Sequence, residues 1–373
     1  MKKIILTSIL FIGMTAIFTS CKKSNNATPA GNCPTTDSLY IFLSSSSIEN
    51  NGFDYVNITV KDQSGNDITS TCTLLLNNSQ AITSSFVPTS AGTFTIKAIT
   101  QSCSIPSQVK SVVVSSVGPS PFTQKILCED FTGTWCGYCP RLSYSLEQYS
   151  SSDSNCIYIA VHGSGSDPYK FQYYSSFMNK FGATGFPTVL LNRKKQPDLT
   201  YGWSEDPADL DLALQAWAPL GLGITSSVNG NSVTGTAKVK FNVSTDRSLK
   251  IVVALVENGL VYPQTNYYSP QYGATPYLYG GISPINNFVH NGVLRRTATD
   301  LYGDAIPTTA TLKDNVWEFP FTMNLSGNTA GGTYNAVAAN CGIVAFVVDG
   351  VTGSPKGILN VQYANVGDVK DFD

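Results

Sequence analysis

The stretch Asp-Phe-Thr-Gly-Thr-Trp-Cys-Gly-Tyr-Cys-Pro at residues 130–140 decides the fold of the central third of the chain. Residues 124–131 read as a strand that leads into it. The apolar residues after it recur at the spacing of one helix face: Leu142, Leu146 and Tyr149. A helix N-terminus, with unpaired N–H groups and a positive dipole end, stabilises a thiolate. We therefore expect Cys136 to attack and Cys139 to resolve a mixed disulfide.

Strands and helices alternate from this stretch to residue 221. The further elements expected are strands at residues 156–161, 188–191 and 199–201, and helices after Asp167-Pro168 and after Asp206-Pro207. Such alternation is typical of a parallel βαβ core. We predict an α/β domain over residues 122–221.

The regions on either side read as β-structure. Residues 36–116 contain short alternating strands separated by turn residues, which predicts a small immunoglobulin-like β-sandwich. Residues 223–373 also read as strands, with a hairpin expected around residues 229–231, and predict a larger C-terminal β-sandwich. The chain is therefore expected to be multidomain, with β-sandwiches flanking an α/β domain.

The central stretch resembles the thioredoxin superfamily, in which an acidic-aromatic strand end leads into Trp-Cys-Gly-x-Cys. Gly185-Phe-Pro-Thr188 matches the cis-proline loop of that superfamily, whose backbone pairs with a bound polypeptide. The resemblance implies a thioredoxin-like fold and a proton-shuttling role for the acid at Asp130, with the adjacent Glu129 as a competing candidate. The dipeptide between the cysteines, Gly137-Tyr138, differs from those of thioredoxins and disulfide isomerases. The direction of electron transfer therefore stays open.

This resemblance, together with position in the fold, gives a set of candidate site residues. The catalytic candidates are Cys136, Cys139, Asp130 and Pro187, and the candidates for substrate contact are Trp135, Tyr138, Phe186, Thr188 and His162. His162 ends the second strand, at the edge of a parallel sheet where ligands bind. The alternative for His162 is a hydrogen bond to a loop. His290, farther along the chain, is expected to be structural.

The chain as a whole resembles the outer-membrane-protein-28-related lipoprotein family. The matching stretches are residues 129–140, 159–162, 185–187, 192–193 and 289–295. The resemblance implies an outer-membrane lipoprotein with a thioredoxin-like domain and a β-rich C-terminal domain. It supplies no substrate.

The N-terminus has the pattern of an export signal. Lys2 and Lys3 precede an apolar run at residues 4–18, which is shorter than the roughly twenty residues that span a bilayer. The run ends in Phe-Thr-Ser before Cys21, which resembles a bacterial lipobox. We therefore expect a signal peptide over residues 1–21, a lipid such as palmitate on Cys21, and a polar tether over residues 22–35. The alternative is an ordinary signal peptide with a chance cysteine.

The nine cysteines suit an oxidising compartment, since lipidation of Cys21 leaves eight. Besides Cys136–Cys139, two further disulfides are expected. Cys72 is expected to pair with Cys103, with Cys33 as a competing partner, and Cys128 with Cys156, the alternative being two buried thiols. Cys341 has no obvious partner.

The composition excludes several classes of function. Charged residues make up 13% of the chain and the net charge is −2, so no basic patch predicts nucleic-acid binding. Two histidines and a single Cys-x-x-Cys do not make a zinc site. We expect no metal and no cofactor. We do expect contact with the lipid membrane through the anchor.

Six tyrosines crowd a Pro- and Gly-rich stretch: Tyr262, Tyr267, Tyr268, Tyr272, Tyr277 and Tyr279. Such rings make good contact surfaces, or they pack a long hairpin. The sequence thus leaves two functions open. One is thiol-disulfide exchange on envelope or extracellular polypeptides. The other is a binding or scaffold lipoprotein in which Cys136–Cys139 is a structural disulfide and the Cys136 sulfur is buried.

Overall fold

The computed structural model describes residues 39–102, 104–193, 208–268, 282–350 and 357–373. Several sequence predictions lie outside these residues. They concern the signal peptide, the lipidated Cys21, the tether, Cys33, Cys103, the strand at 199–201, the Asp206-Pro207 cap and three of the six tyrosines.

Residues 40–115 form two sheets. The strands are β1 (Tyr40–Leu43), β2 (Ser47–Glu49), β3 (Val56–Lys61), β4 (Cys72–Leu76), β5 (Gln80–Ile82), β6 (Ser85–Phe86), β7 (Gly92–Thr100) and β8 (Lys110–Ser115). In the described residues, one sheet has the order β1-β3-β6 and the other β2-β8-β7-β4-β5. Alternate residues of β3 are buried, as expected for strands with one face on a core.

The central stretch carries the α-helices of the described chain. Its elements are β9 (Ile126–Thr132), α1 (Cys139–Ser152), β10 (Cys156–His162), α2 (Tyr174–Phe181), β11 (Thr188–Leu191) and α3 (Ala208–Leu214). Strands β9 and β10 pair parallel, with Cys156 opposite Ile126, as the alternation predicts. Helix α2 begins at Tyr174, later than the Asp167-Pro168 cap predicted; Asp167 Oδ1 accepts the Tyr169 N–H at 2.8 Å and closes a local turn that does not continue as a helix.

The C-terminal part of the chain is built mainly of strands. They are β12 (Leu220–Asn229), β13 (Ser232–Phe241), β14 (Leu249–Glu257), β15 (Leu260–Val261), β16 (Val289–His290), β17 (Val293–Thr297), β18 (Asp304–Ala305), β19 (Val316–Asn324), β20 (Ser326–Thr329), β21 (Gly332–Asn335), β22 (Cys341–Asp349), β23 (Ile358–Asn365) and β24 (Val369–Lys370). The β12–β13 hairpin turns at Gly230, which has a φ of 58°, as the sequence predicts.

A mixed sheet joins the central strands to the C-terminal ones. Over the described ranges it has eight strands in the order β11-β9-β10-β17-β14-β22-β23, with β18 paired to β14. Strand β17 runs parallel to β10, with Val293 opposite Ala160. Strands from the predicted α/β region (residues 122–221) and from the predicted C-terminal β-sandwich (residues 223–373) thus share one hydrogen-bonded sheet.

Strands β14 and β22 are buried on both faces, which explains their nearly continuous apolar sequences. On β14, Ile251 and Val253 face a four-stranded antiparallel sheet, β19-β13-β12-β24. Val252 and Ala254 face the other way and share a core with Leu127 of β9. A third core lies between β9, α1 and α3.

The prediction of a β-rich, multidomain chain is confirmed in outline, and the described residues contain several sheets and few helices. The chain divides into two compact units, the second of which contains Val114–Asp373. No helix within the described residues is long and apolar enough to cross a membrane.

Candidate functional site

Cys136 and Cys139 form a disulfide directly before α1. Their sulfur atoms are 2.04 Å apart. A tight turn holds Cys136, whose N–H donates to Gly133 O at 2.9 Å. Cys139 is the first helical residue and Pro140 follows it, where a missing N–H costs little. The pair therefore lies at the helix N-terminus that the sequence predicts.

Trp135 packs across the same turn. Its indole N–H donates to Gly163 O at 2.9 Å, and its ring meets Phe186 edge-on at 5.4 Å. A Cβ atom on Gly165 would lie 2.6 Å from the indole, and the φ of that residue is +51°. Glycine at residue 165 is therefore needed for both space and backbone conformation. Trp135 remains 37% exposed.

The Pro187 loop reaches the same end of the sheet. Strand β11 runs antiparallel to β9 with Thr188 opposite Phe131, so Pro187 lies beside the chain that enters the cysteine turn. The Phe186–Pro187 peptide bond is cis. The Thr188 hydroxyl donates to Gly185 O at 2.9 Å, which closes the loop on itself.

Asp130 is a buried carboxyl without a strong partner. It is 1% exposed, and it faces α1, where the Ser143 hydroxyl lies 3.4 Å from Oδ2. Oδ1 has no hydrogen-bond partner in the described structure. A small cavity next to it is bounded by Ser143, Glu147 and Tyr158. Burial raises the pKa of Asp130 to about 7, which makes this carboxyl a proton donor or acceptor near neutral pH.

Glu129 points to the opposite face of β9 and is fully paired. Arg193 donates to both of its carboxylate oxygens, from Nε at 2.9 Å and from Nη2 at 2.8 Å. Both side chains are 2% exposed, and the guanidinium lies on the Phe177, Phe181 and Phe346 rings. Of the two acids considered from sequence, only Asp130 is therefore available for proton transfer.

His162 was expected to contact a substrate, but the structure buries it to 1% exposure. Its Nδ1 lies 2.9 Å from Asp167 Oδ2, which also accepts the Thr134 N–H at 2.7 Å. Burial raises the pKa of Asp167, but the His162 contact and backbone N–H groups outweigh this and lower it overall. This contact matches the alternative considered from the sequence, a hydrogen bond to a loop, and direct substrate contact by His162 stays a prediction. His162 helps Asp167 hold the turn before the cysteines.

A segment from the C-terminal half lies over the disulfide turn; we call residues 264–268 the covering segment. Its Thr265 N–H donates to Thr134 O at 2.8 Å, and its Tyr267 N–H donates to Gly137 O at 2.9 Å. The Gln264 amide donates to Gly133 O at 3.1 Å and to Cys136 O at 2.8 Å. Main-chain carbonyls of the turn are thus bound by another part of the chain.

Aromatic rings complete this cover. Tyr138 meets Tyr267 edge-on at 5.2 Å and Tyr268 at 5.9 Å. A Cβ atom at Gly137 would overlap the Tyr267 ring, so the dipeptide between the cysteines needs its glycine. As a result Cys136 is 4% and Cys139 1% exposed, whereas Tyr138 is 55% exposed.

Sequence reasoning missed the covering segment. The only indication of it in the sequence was the cluster of six tyrosines. Two of these, Tyr267 and Tyr268, contact the turn. Gln264 carries no such signal, because a glutamine in a polar stretch looks like a surface residue. The role of Asp167 was also missed, because Asp-Pro read as a helix start.

The remaining described cysteines are free, buried thiols: Cys72, Cys128, Cys156 and Cys341. The expected Cys72–Cys103 and Cys128–Cys156 disulfides are therefore not formed in this structure. Cys128 and Cys156 are instead two neighbouring buried thiols, the alternative considered from the sequence, and the hydrogen bond with Cys156 together with burial raises the pKa of the Cys128 thiol. No group of three or more His, Cys, Asp or Glu side chains in the described ranges is arranged to hold a metal.

Comparison with known proteins gives one family and one solved structure. The family described as outer membrane protein Omp28 matches residues 174–370. HBP35 of Porphyromonas gingivalis has a TM-score of 0.46 and 18% identity, over 66% of this chain and 76% of that one. No curated protein matches the chain significantly.

Proposed function

Because the chain belongs to the Omp28 outer membrane protein family, we propose that it is a lipid-anchored outer-membrane protein whose Cys136–Cys139 disulfide exchanges with thiols of envelope or extracellular polypeptides. The family supports the association with the outer membrane. The anchor rests on the lipobox-like sequence that ends at Cys21. The corresponding enzyme class is a thiol-disulfide oxidoreductase.

The observation that carries this proposal is the disulfide at the N-terminus of α1, together with a buried acid, Asp130, that faces the same helix and has a pKa of about 7. The parallel β9–β10 pair with α1 between them supports a thioredoxin-like core for this part of the chain. The two N-terminal sheets support an immunoglobulin-like module. Both fold assignments are part of the proposal.

The proposed exchange starts from the oxidised protein. A substrate thiolate attacks Cys136 Sγ, the Cys136–Cys139 bond breaks, and the electron pair leaves on Cys139 Sγ. Protonated Asp130 is the acid for that sulfur, since it faces α1, which begins at Cys139. A second substrate thiolate then attacks the substrate sulfur of the mixed disulfide and releases Cys136. The substrate dithiol is thereby oxidised to a disulfide, and the protein disulfide is reduced to two thiols.

The second candidate is a non-catalytic binding or scaffold protein with a structural disulfide. The burial of Cys136 and the five hydrogen bonds between the covering segment and the turn favour it. The two candidates differ in one physical respect. Exchange requires the covering segment to leave the turn, whereas a structural disulfide requires it to stay.

The test uses the chain without residues 1–21, purified with its disulfide intact. It is mixed with a reduced dithiol peptide, and the protein and peptide redox states are followed by alkylation and mass spectrometry. The variants are Cys136→Ser and Cys139→Ser. Cys341→Ser, which removes a buried thiol outside the turn, is the matched control.

The proposal predicts that wild type and Cys341→Ser oxidise the peptide, and that Cys136→Ser and Cys139→Ser do not. If the protein oxidises the peptide no faster than an equal concentration of a small-molecule disulfide does, exchange is contradicted and the structural disulfide is favoured. The anchor is tested separately by labelling cells with palmitate. The label should appear on the full chain and be absent from Cys21→Ser; equal labelling of both would rule out the anchor.

A further inference from the structure

A cavity of about 570 Å³ lies away from the disulfide, between the segment before α2, strand β17 and the β20–β21 hairpin. Its apolar side is formed by the rings of Phe171, Tyr173 and Tyr302. Its polar side is formed by Arg295 and Tyr334. Pockets that hold small organic ligands have volumes of roughly 300–1,000 Å³, so this cavity is of ligand size.

Arg295 is held rigidly in the cavity wall. Its Nε donates to Glu257 Oε2 at 2.7 Å. Its guanidinium lies 5.2 Å from the Tyr169 ring and 5.1 Å from the Tyr334 ring. The side chain is 4% exposed, yet Nη1 has no hydrogen-bond partner among the described residues.

Tyr334, next to Arg295, also carries a polar group that makes no hydrogen bond. Its hydroxyl is buried and also lacks a partner in the part of the chain that the structure describes. Buried polar groups in folded proteins are almost always paired, because an unpaired one loses its hydration without compensation. Two unpaired donors on neighbouring side chains of one cavity indicate an acceptor that arrives from outside.

The charged residues around the cavity indicate which kind of acceptor would bind to these two donors. Glu257 balances Arg295. Arg296 also lines the cavity and donates to the carbonyl oxygens of Asn324 and Ser326, so its charge remains on the wall. Asp300 lines the cavity as well, and its carboxylate accepts the Tyr302 N–H. The free donors lie on the Arg295 side, which favours an anionic oxygen ligand there.

We propose that this cavity binds an organic carboxylate about the size of a dipeptide. The carboxylate oxygens accept hydrogen bonds from Arg295 Nη1 and from the Tyr334 hydroxyl. The body of the ligand lies against the rings of Phe171, Tyr173 and Tyr302. The site is independent of the disulfide and of any redox activity.

The test compares two probes that differ only at the carboxylate. Acetyl-Gly-Phe and its C-terminal amide are titrated into the full chain in mild detergent, by calorimetry, up to about 10 mM. A hydrogen bond to a charged group is stronger than one to a neutral group, so we expect the acid to bind at least about tenfold more tightly than the amide. Equal affinities, or no saturable binding of the acid, would overturn the proposal.

Two matched tyrosine variants locate the site. Tyr334→Phe removes the unpaired hydroxyl and should reduce the preference for the acid several-fold without lowering the melting temperature. Tyr363→Phe removes a hydroxyl outside the cavity that already donates to Asn365 Oδ1 at 3.1 Å, and should leave the preference unchanged. A preference that survives Tyr334→Phe would place the carboxylate elsewhere and contradict the assignment.

Discussion

At the scale of single residues, two adjacent acids show how strand alternation assigns chemistry. Glu129 and Asp130 are neighbours on β9, so their side chains point to opposite faces of the sheet. Glu129 meets Arg193 on one face, and Asp130 meets the start of α1 on the other. The two acids are equally buried, but only Glu129 has a charged partner, and burial raises the pKa of Asp130 to about 7.

Asp130 should make the stability of the protein depend on pH. Its pKa is raised from 3.8 in the unfolded chain to about 7 in the folded one, so folding favours its protonated form. The stabilisation is therefore present below about pH 4 and is lost as pH rises through about 7. A shift of this size corresponds to roughly 4 kcal/mol at most. Asp130→Asn should flatten the pH dependence of the free energy of unfolding over this range.

Urea titrations at several pH values between 4 and 8 measure this slope directly. The slope is the informative quantity. The asparagine amide of the variant does not titrate, so its effect on the free energy of unfolding is the same at every pH. Glu318→Gln, at an exposed position on β19, is the matched control and should keep the wild-type slope. An unchanged slope in Asp130→Asn would show that Asp130 is ionised in the folded protein throughout this range.

At the scale of secondary-structure elements, the covering segment decides whether the disulfide can react. It is held by hydrogen bonds to the turn on one side and by Gln264–Ile285 main-chain pairing on the other. The Gln264 side chain is 2% exposed and joins two carbonyls of the turn. Its amide is therefore the contact whose removal should most weaken the cover.

Gln264→Ala should make the disulfide easier to reach. Each hydrogen bond contributes about 0.5–1.5 kcal/mol net, so the loss of two should raise the rate of reduction by dithiothreitol by about tenfold. The rate is measured by trapping thiols at intervals after mixing. Gln362→Ala removes another buried amide, one that donates to Leu222 O at 3.1 Å, and controls for general destabilisation. Equal acceleration in both variants would mean that the cover does not limit access.

The elements themselves were largely predictable from sequence, but their long-range neighbours were not. The cysteine turn, the helix after it and the β12–β13 hairpin depend on local spacing, which the sequence displays. The pairing of β10 with β17 joins residues more than a hundred positions apart and has no local signal.

At the scale of the whole molecule, the central strands depend on the C-terminal ones. Leu127 and Ile159 share a core with Val252, Leu294 and Phe346. The second edge of β10 is occupied by β17, and the Ala160 N–H donates to Gly292 O at 2.8 Å. A fragment that ends near residue 221 would expose this apolar face and leave an unpaired strand edge.

This dependence predicts that residues 122–221 do not fold alone. Burial of each large apolar side chain contributes about 1.5–3 kcal/mol, so uncovering Leu127, Phe131, Ile159 and Val161, which all belong to this core, removes an amount comparable to the 5–15 kcal/mol that stabilises a typical domain. We expect residues 114–373 to unfold cooperatively in urea, followed by near-ultraviolet circular dichroism, and the fragment to show no transition. Residues 114–373 are the control for the fragment, because they contain the same cysteine turn. A cooperative transition in the fragment would instead establish residues 122–221 as an independent domain and make the shared sheet a docking contact rather than a requirement for folding.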